Sequence, residues 1–248
     1  MKNSAWFVCL QPRPVPPIRL FCFPYAGGTV AQFRGWPKLV SPEIEVRVAY
    51  LPGRGVRLHE PVYKRLQPLI AKLKTAIEPL SQQPFAFFGH SLGARLAFEL
   101  TNSLRGAGLA LPQHLFLSAC PAPQLSQRTQ LLHMLRRDEL LAELRKRGGV
   151  PADVLAQPAV LDVLLPALRA DLAVLETAVY QPQPPLDIPM TVFGGTADTL
   201  VEPGALDAWH VHTKNDFRIQ MFVGDHFFLE TAVVGLTQVI SNELRKLG

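Results

Sequence analysis

The chain has 248 residues, of which 48% are hydrophobic, enough apolar material for one large core. We expect a single domain spanning residues 1–248. Lysine and arginine total 25 against 20 aspartate and glutamate, a formal net charge of +5. Because the basic residues are spread along the chain instead of forming a tail or block, nucleic acid is not an expected partner.

Cysteine usage and the N-terminal sequence bear on where the protein works. Cys9, Cys22 and Cys120 are odd in number and far apart, which predicts buried thiols in a reducing compartment. The N-terminal sequence lacks the long apolar core of a secretory signal. No apolar run reaches the ~18 residues that cross a bilayer. We therefore expect a soluble cytoplasmic protein that does not bind membranes.

Six short apolar runs, rich in Val, Ile and Phe and bounded by Gly or Pro, predict strands buried on both faces of a sheet. In chain order they are Ile18–Phe23, Ile44–Tyr50, Phe85–Gly89, His114–Ala119, Met190–Gly195 and Phe217–Gly224. Segments with helical periodicity alternate with them, at Thr29–Val40, Tyr63–Leu80, Leu92–Gly106 and Phe227–Lys246. This alternation predicts a mostly parallel sheet flanked by helices, with ligands at the carboxyl ends of the strands.

One region interrupts the alternation. Between Gln124 and Tyr180 the sequence has only helical periodicity, in two leucine-rich stretches separated by Gly and Pro. Two interpretations are open: a mobile lid over a pocket, or a pair of ordinary packed surface helices. The proline-rich segment Tyr180–Pro189 then returns the chain to the sheet as a stiff connector.

The pentapeptide Gly89-His90-Ser91-Leu92-Gly93 matches the G-x-S-x-G pattern of a nucleophile elbow. It follows a predicted strand and begins a predicted helix, where such an elbow must lie to expose its serine. The turn is so sharp that the serine backbone is strained, and the small flanking residues avoid clashes with the neighbouring strand and helix. The alternative is a glycine-rich turn with a helix-capping serine. We predict that Ser91 is a nucleophile.

A serine nucleophile needs a histidine to accept its proton and a carboxylate to orient that histidine. The expected chain order is serine, acid, histidine, with the acid and the histidine after late strands. Among the seven histidines, His226 directly follows the last predicted strand and is the predicted base. Asp198 follows the preceding strand and is the predicted acid, with Asp225 as a rival or a local helix cap. Asp187 precedes that strand and Asp207 lies in the following helix, so neither is favoured.

Acyl transfer builds negative charge on a carbonyl oxygen, and backbone amides must already face it. Leu92, which follows the nucleophile at a helix start, supplies one predicted amide. The second is expected from the loop after the first predicted strand, where paired glycines allow a backbone bend. Ala26 is the expected donor there and Tyr25 the alternative. His90 is expected to be a packing residue beside the nucleophile.

Cofactor chemistry has no support in the sequence. The histidines outside the elbow and the predicted triad form no spacing suited to a metal. The glycine-rich segment "FPYAGGTV" lacks the G-K-[ST] ending of a phosphate-binding loop. We therefore expect neither a cofactor nor a metal.

Five motifs can be considered together: "FCFPYAGG", "LPGR", "GHSLGARLAFEL", "FGGTADTLV" and "GDHFFLE". In combination they resemble those of the type II thioesterases that accompany nonribosomal peptide and polyketide synthases, and the resemblance extends from about residue 18 to the C-terminus. It implies an α/β-hydrolase fold with residues 124–180 as a helical lid. It also implies a triad of Ser91, Asp198 and His226, and an oxyanion hole formed by the amides of Ala26 and Leu92.

The resemblance further implies an enzyme that hydrolyses aberrant or stalled acyl groups from the 4′-phosphopantetheine arm of acyl or peptidyl carrier proteins, through an acyl-serine intermediate. We expect a monomer. Four alternatives stay open: a chain-releasing medium-chain acyl thioesterase, a carboxylesterase, acyl transfer to an alcohol or amine, and a non-catalytic carrier-docking scaffold.

The segment after "LPGR" departs from the family pattern. Relatives often have an acidic residue before the next arginine, whereas this chain has Arg54-Gly55-Val56-Arg57, which makes the loop more basic. Arg54 and Arg57 either meet an acidic carrier protein or are solvated or bound within the chain.

Overall fold

A seven-stranded sheet forms the centre of the structure. The computed structural model describes residues 6–13, 16–125, 131–150 and 152–246. The strands are β1 (Phe7–Cys9), β2 (Ile18–Phe23), β3 (Ile44–Ala49), β4 (Phe85–His90), β5 (Leu115–Ser118), β6 (Met190–Gly195) and β7 (Phe217–Phe222). Their order in the sheet is β1-β3-β2-β4-β5-β6-β7. All neighbours are parallel except β1, which runs antiparallel to β3.

The six predicted strands are confirmed, with ends that differ by at most two residues. Strand β1 was not predicted, because three residues followed by prolines carry too little pattern to identify a strand. Its place in the sheet is nevertheless well defined, since Phe7 pairs with Ala49 and its ring is fully buried.

Helices connect the strands and cover both faces of the sheet. They are α1 (Leu66–Ile77), α2 (Leu92–Gly106), α3 (Arg137–Arg147), α4 (Ala152–Leu155), α5 (Pro158–Glu176), α6 (Pro203–Asp207), α7 (Phe228–Thr231) and α8 (Val233–Arg245). Short 3-10 helices lie at Val30–Phe33, Trp36–Lys38, Gly55–Arg57, Glu78–Leu80, Pro123–Leu125, Leu132–Met134 and Ala208–His212. No helix in the described ranges is long and apolar enough to span a membrane.

Two of the predicted helices are not continuous. The prediction of Thr29–Val40 as one helix is wrong: the segment contains two 3-10 helices, and the second begins at Trp36, after Gly35, with Pro37 in its first turn. Proline lacks the amide proton that a continuous helix needs and collides with the preceding turn. The predicted helix Phe227–Lys246 is divided into α7 and α8 at Ala232.

Aromatic side chains fill both faces of the sheet, as the alternation of side chains along a strand requires. Phe21, Phe87 and Phe85 pack on the face covered by α1 and α2. Phe88 and Phe193 pack on the other face, with the side chains of α8. The sheet is therefore buried on both sides, and its strand ends are held in fixed positions.

The helical insertion of residues 124–180 has a separate cluster of buried side chains, and in the described residues all of these buried side chains are leucines. They are Leu132, Leu140, Leu141, Leu144, Leu155, Leu161, Leu165, Leu168 and Leu172. The predicted insertion includes residues 126–130 and 151, which lie outside the described residues. Helix α3 and the first part of α5 are therefore held by leucine packing, whereas Val174 and Leu175 near the end of α5 join the core that contains Phe21 and Phe87.

Candidate active site

Ser91 lies in the sharp turn between β4 and α2, as predicted. Its backbone has φ 54° and ψ −113°, a strained conformation for a non-glycine residue. The flanking glycines are required by close approach: a Cβ on Gly89 would lie 2.1 Å from the carbonyl oxygen of Gly93, and a Cβ on Gly93 would lie 1.9 Å from that of Phe23. The amide of Ser91 donates to the carbonyl of Ser118 at 2.7 Å, which ties the turn to β5.

His226 and Asp198 form a buried hydrogen-bonded pair. The Nδ1 atom of His226 is 2.8 Å from Oδ2 of Asp198, and their side chains are 9% and 1% exposed. The other oxygen, Oδ1, accepts the amides of Leu200 at 2.7 Å and Val201 at 3.1 Å. Each oxygen of the carboxylate therefore has its own partners, and Oδ2 faces the imidazole.

Hydrogen bonding keeps Asp198 ionised in this buried position. Burial alone raises the pKa of a carboxyl group. The hydrogen bonds from His226 and from the amides of Leu200 and Val201 outweigh that effect, so that the pKa of Asp198 is lowered. An ionised carboxylate accepts the Nδ1 proton of His226, which leaves the Nε2 lone pair free to accept a proton.

The other aspartates considered from the sequence have local roles. Asp225 is exposed, and its Oδ1 accepts the amide of Phe227 at 2.8 Å, as a turn-capping residue does. Asp187 accepts a hydrogen bond from the side chain of Asn215. Asp207 is 67% exposed at the end of α6. Of these four, Asp198 is the one whose carboxylate is hydrogen-bonded to the imidazole of His226 among the described contacts.

Ser91 and His226 line one cavity of about 510 Å³. Tyr25, Ala26 and Ala119 also line it from the strand ends. The helical insertion contributes a set of leucine side chains to the wall, namely Leu125, Leu132, Leu144, Leu168, Leu172 and Leu175. The insertion therefore takes part in the pocket, as the lid interpretation expects, and its motion stays a prediction.

A buried ion pair, which the sequence did not reveal, connects the loop after β2 to the helical insertion. Oδ2 of Asp171, in α5, accepts the amide of Gly27 at 2.8 Å. Oδ1 accepts from Nη2 of Arg54 at 2.8 Å, and Nη1 of Arg54 donates to the carbonyl of Gly28 at 2.9 Å. Ala26 lies directly beside this clamp. A charged residue on the apolar face of α5 was the available signal.

This arrangement also decides the role of the basic loop. Arg54 and Arg57 are each 5% exposed. Arg57 stacks on Trp6, with its guanidinium carbon 4.2 Å from the ring centroid, and pairs with Glu60. A docking role for these two side chains is therefore wrong, because both are used inside the chain.

The fold and the paired His226 and Asp198 beside an elbow serine define a serine hydrolase of the α/β type. A model of the thioesterase domain matches residues 18–247 of the chain. The chain belongs to this family of enzymes, which hydrolyse thioesters.

Individual relatives agree with this assignment. The chain is 38% identical over 242 residues to the gramicidin S biosynthesis protein GrsT of Aneurinibacillus migulanus, covering 98% of this chain and 94% of that protein. The structure of RedJ, a thioesterase from the prodiginine pathway of Streptomyces coelicolor, superposes with a TM-score of 0.86 at 39% identity, over 94% and 91% of the two chains. BorB, a type II thioesterase from the borrelidin biosynthetic cluster, superposes with a TM-score of 0.88 at 31% identity, over 99% of this chain and 98% of that chain.

Proposed function

We propose that this enzyme is an editing thioesterase, which removes acyl groups from the 4′-phosphopantetheine arm of carrier proteins in nonribosomal peptide or polyketide synthesis. One observation carries the proposal: Ser91 and the Asp198-paired His226 line a single cavity whose wall is otherwise rich in leucine. Such a cavity suits an apolar acyl chain bound beside a nucleophile. The pathways named for GrsT, RedJ and BorB support the carrier-bound form of the substrate.

The reaction has two steps with the same three side chains. His226 accepts the hydroxyl proton of Ser91 as the oxygen attacks the thioester carbonyl, and the carbonyl oxygen becomes an oxyanion. The amides of Ala26 and Leu92 donate to that oxyanion. The carbon–sulfur bond then breaks, and the pantetheine thiolate leaves with the proton held by His226. An acyl-serine ester remains.

Water completes the cycle. His226 accepts a proton from a water molecule whose oxygen attacks the acyl-serine, and then returns a proton to the oxygen of Ser91 as the free acid leaves. Throughout, Asp198 holds Nδ1 of His226 and stabilises the imidazolium form.

The test is release of free acid from carrier proteins loaded with acetyl, longer acyl and aminoacyl groups. Ser91→Ala is expected to lower kcat by about 10⁴-fold or more, because the nucleophile is lost while the cavity is kept. Ser81→Ala, which changes a serine in the turn after Glu78–Leu80, is the matched control and should retain full activity. Retained turnover by Ser91→Ala would refute the assignment.

The same preparation separates carrier-bound substrates from other esters. Rates with acyl-carrier protein, acyl-coenzyme A and a simple carboxylic ester are compared at equal acyl length. The proposal expects the highest kcat/KM with the carrier protein. A higher value with the simple ester would instead identify a carboxylesterase.

A further inference from the structure

His90, the residue before the nucleophile, is completely buried and uses both ring nitrogens. Its Nδ1 is 2.9 Å from Oγ of Ser118, and its Nε2 is 2.9 Å from the carbonyl oxygen of His226. The side chain has no solvent exposure. These contacts go beyond the packing role expected from the sequence, because two directed hydrogen bonds join β4 to β5 and to the histidine loop.

The partners fix the protonation of this ring. A carbonyl oxygen can only accept, so Nε2 of His90 carries a proton and donates to His226. Burial lowers the pKa of His90 to about 3, so the ring is neutral and Nδ1 has no proton. Nδ1 therefore accepts, and the hydroxyl of Ser118 donates to it.

These bonds complete a hydrogen-bonded path around the site. The carbonyl of Ser118 accepts the amide of Ser91 at 2.7 Å, while its hydroxyl donates to His90. His90 donates to the backbone of His226, whose side chain donates to Asp198. The path begins and ends on residues of the proposed triad. The two links through His90 are buried, and a hydrogen bond in such a position resists exchange with water.

Aromatic rings restrict the ring of His90 as well. The rings of Tyr25, His226 and Phe228 lie edge-on to it, at centroid distances of 5.8, 5.5 and 5.5 Å. The imidazole is therefore closely packed by neighbouring rings, and none of its surface is exposed to solvent. Its donor is aimed at one backbone atom of the base.

We propose that His90 is a positioning residue, which sets the distance between Ser91 and His226 by joining the backbone of the elbow to the carbonyl of the base. Being covalently next to the nucleophile, it transmits the position of β4 directly to the loop that holds His226. This inference rests on the proposed function. It assigns His90 no contact with the substrate and no proton transfer.

The experiment compares three changes in the intact enzyme under the acid-release assay. His90→Leu removes the donor but keeps an apolar side chain, and is expected to lower kcat by about 10²-fold with KM unchanged within about twofold. His90→Gln retains an N–H donor at the end of the side chain, and should recover about tenfold of that loss. Ser118→Ala removes one oxygen, and should lower kcat by about threefold to tenfold.

His114→Leu is the matched control. His114 is also buried, with Nε2 bonded to the hydroxyl of Thr191 at 2.9 Å, but it precedes β5 at the end opposite to Ser118. Its loss should lower thermal stability while kcat per folded molecule stays at the wild-type value. The comparison separates a general effect of removing a buried histidine from an effect on the site.

The outcomes are distinct. If His90→Leu fails to fold, His90→Gln and Ser118→Ala decide the question, and reduced kcat at constant KM in both supports the inference. Wild-type kcat in His90→Gln and Ser118→Ala, with stability losses like that of His114→Leu, would overturn it. Ser91→Ala is assayed in parallel: if that variant stays active, the proposed function fails, whereas an inactive Ser91→Ala beside fully active His90 variants refutes the inference about His90 alone.

Discussion

The strand ends that carry the site and the helical insertion beside them are stabilised in different ways. The strands share a backbone hydrogen-bond ladder and an aromatic core, in which Phe21 and Phe87 lie edge to face at 6.1 Å. The buried core of the insertion consists of leucine side chains. Its polar contacts include Asp171, which accepts the amide of Gly27 in the loop after β2, and Glu176, which accepts the amides of Leu132 and His133 within the insertion at 3.1 Å each.

This difference assigns separate tasks to the two regions. A ladder with edge-to-face rings has one well-defined packing, which suits side chains that must stay within hydrogen-bond reach. A uniform leucine cluster specifies its packing less strictly, because many arrangements of one side-chain type have similar energies. The sheet therefore fixes the positions of Ser91, Asp198 and His226, and the insertion supplies leucine side chains to the wall of the cavity.

The largest effect expected from this comparison is that of Asp198→Asn, which changes the sheet region without disturbing its packing. In Asp198→Asn the amides of Leu200 and Val201 still need an oxygen acceptor, so the new NH₂ group must face His226. Nδ1 of His226 must then accept, and the proton moves to Nε2, where the base should have a lone pair. We expect kcat to fall by about 10³- to 10⁴-fold with the free energy of unfolding nearly unchanged.

Acid-release kinetics and urea denaturation measure the two quantities. Asp225→Asn is the control, because its side chain can still accept the amide of Phe227 and has no contact with the imidazole of His226 among the described hydrogen bonds. It should keep wild-type kcat. A similar loss in both variants would mean that Asp198 is not the specific partner of the base.

The same difference explains what could be predicted from sequence. Ser91, Asp198 and His226 each follow a strand with a clear apolar pattern, and parallel topology brings strand ends to one edge. Strand β1 was missed because its position depends on pairing with β3. The clamp of Asp171 on Gly27 and Arg54 joins residues more than 100 positions apart, and the role of His90 depends on a backbone carbonyl. A local pattern can mark such a residue as unusual, but it does not identify the distant partner.

Breaking the buried ion pair between Asp171 and Arg54 should give the next largest effect. Asp171→Asn leaves Arg54, which is 5% exposed, without a full counter-charge. Removing one partner of a buried ion pair typically costs about 3–5 kcal/mol, because the remaining charge stays buried. We expect a fall of that size in the free energy of unfolding, measured by urea denaturation, and faster proteolysis between α3 and α5.

Asp162→Asn is the matched control for this change. Asp162 lies in the same helix and pairs with Arg137, but the two side chains are 63% and 43% exposed. Exposed pairs contribute little, so stability and proteolysis should match the wild type. Equal losses in both variants would show that the helix is sensitive to any amide at its acidic positions, and that the clamp has no special role.

The smallest expected effect concerns acid stability, and it should originate in the sheet. Burial lowers the pKa of His114 from its ordinary value of 6.5 to about 4, and its ring stacks on Phe116 at 4.2 Å. Below pH 6.5 the imidazole of His114 is protonated in the unfolded chain, whereas in the folded chain it stays neutral until about pH 4. Stability is therefore fully present above pH 6.5 and is lost as the pH falls towards 4, by up to about 1.4 kcal/mol per pH unit for this group.

His114→Leu removes the imidazole that titrates at this position. The variant should be less stable than the wild type at pH 7, where the hydrogen bond to Thr191 is missing. The difference in the free energy of unfolding should narrow as the pH is lowered from 6.5 to 4.5, because only the wild type loses stability by keeping His114 neutral in the folded state. Urea denaturation at several pH values measures this difference directly. Parallel stability curves for the two proteins would show that His114 is not a source of the acid sensitivity.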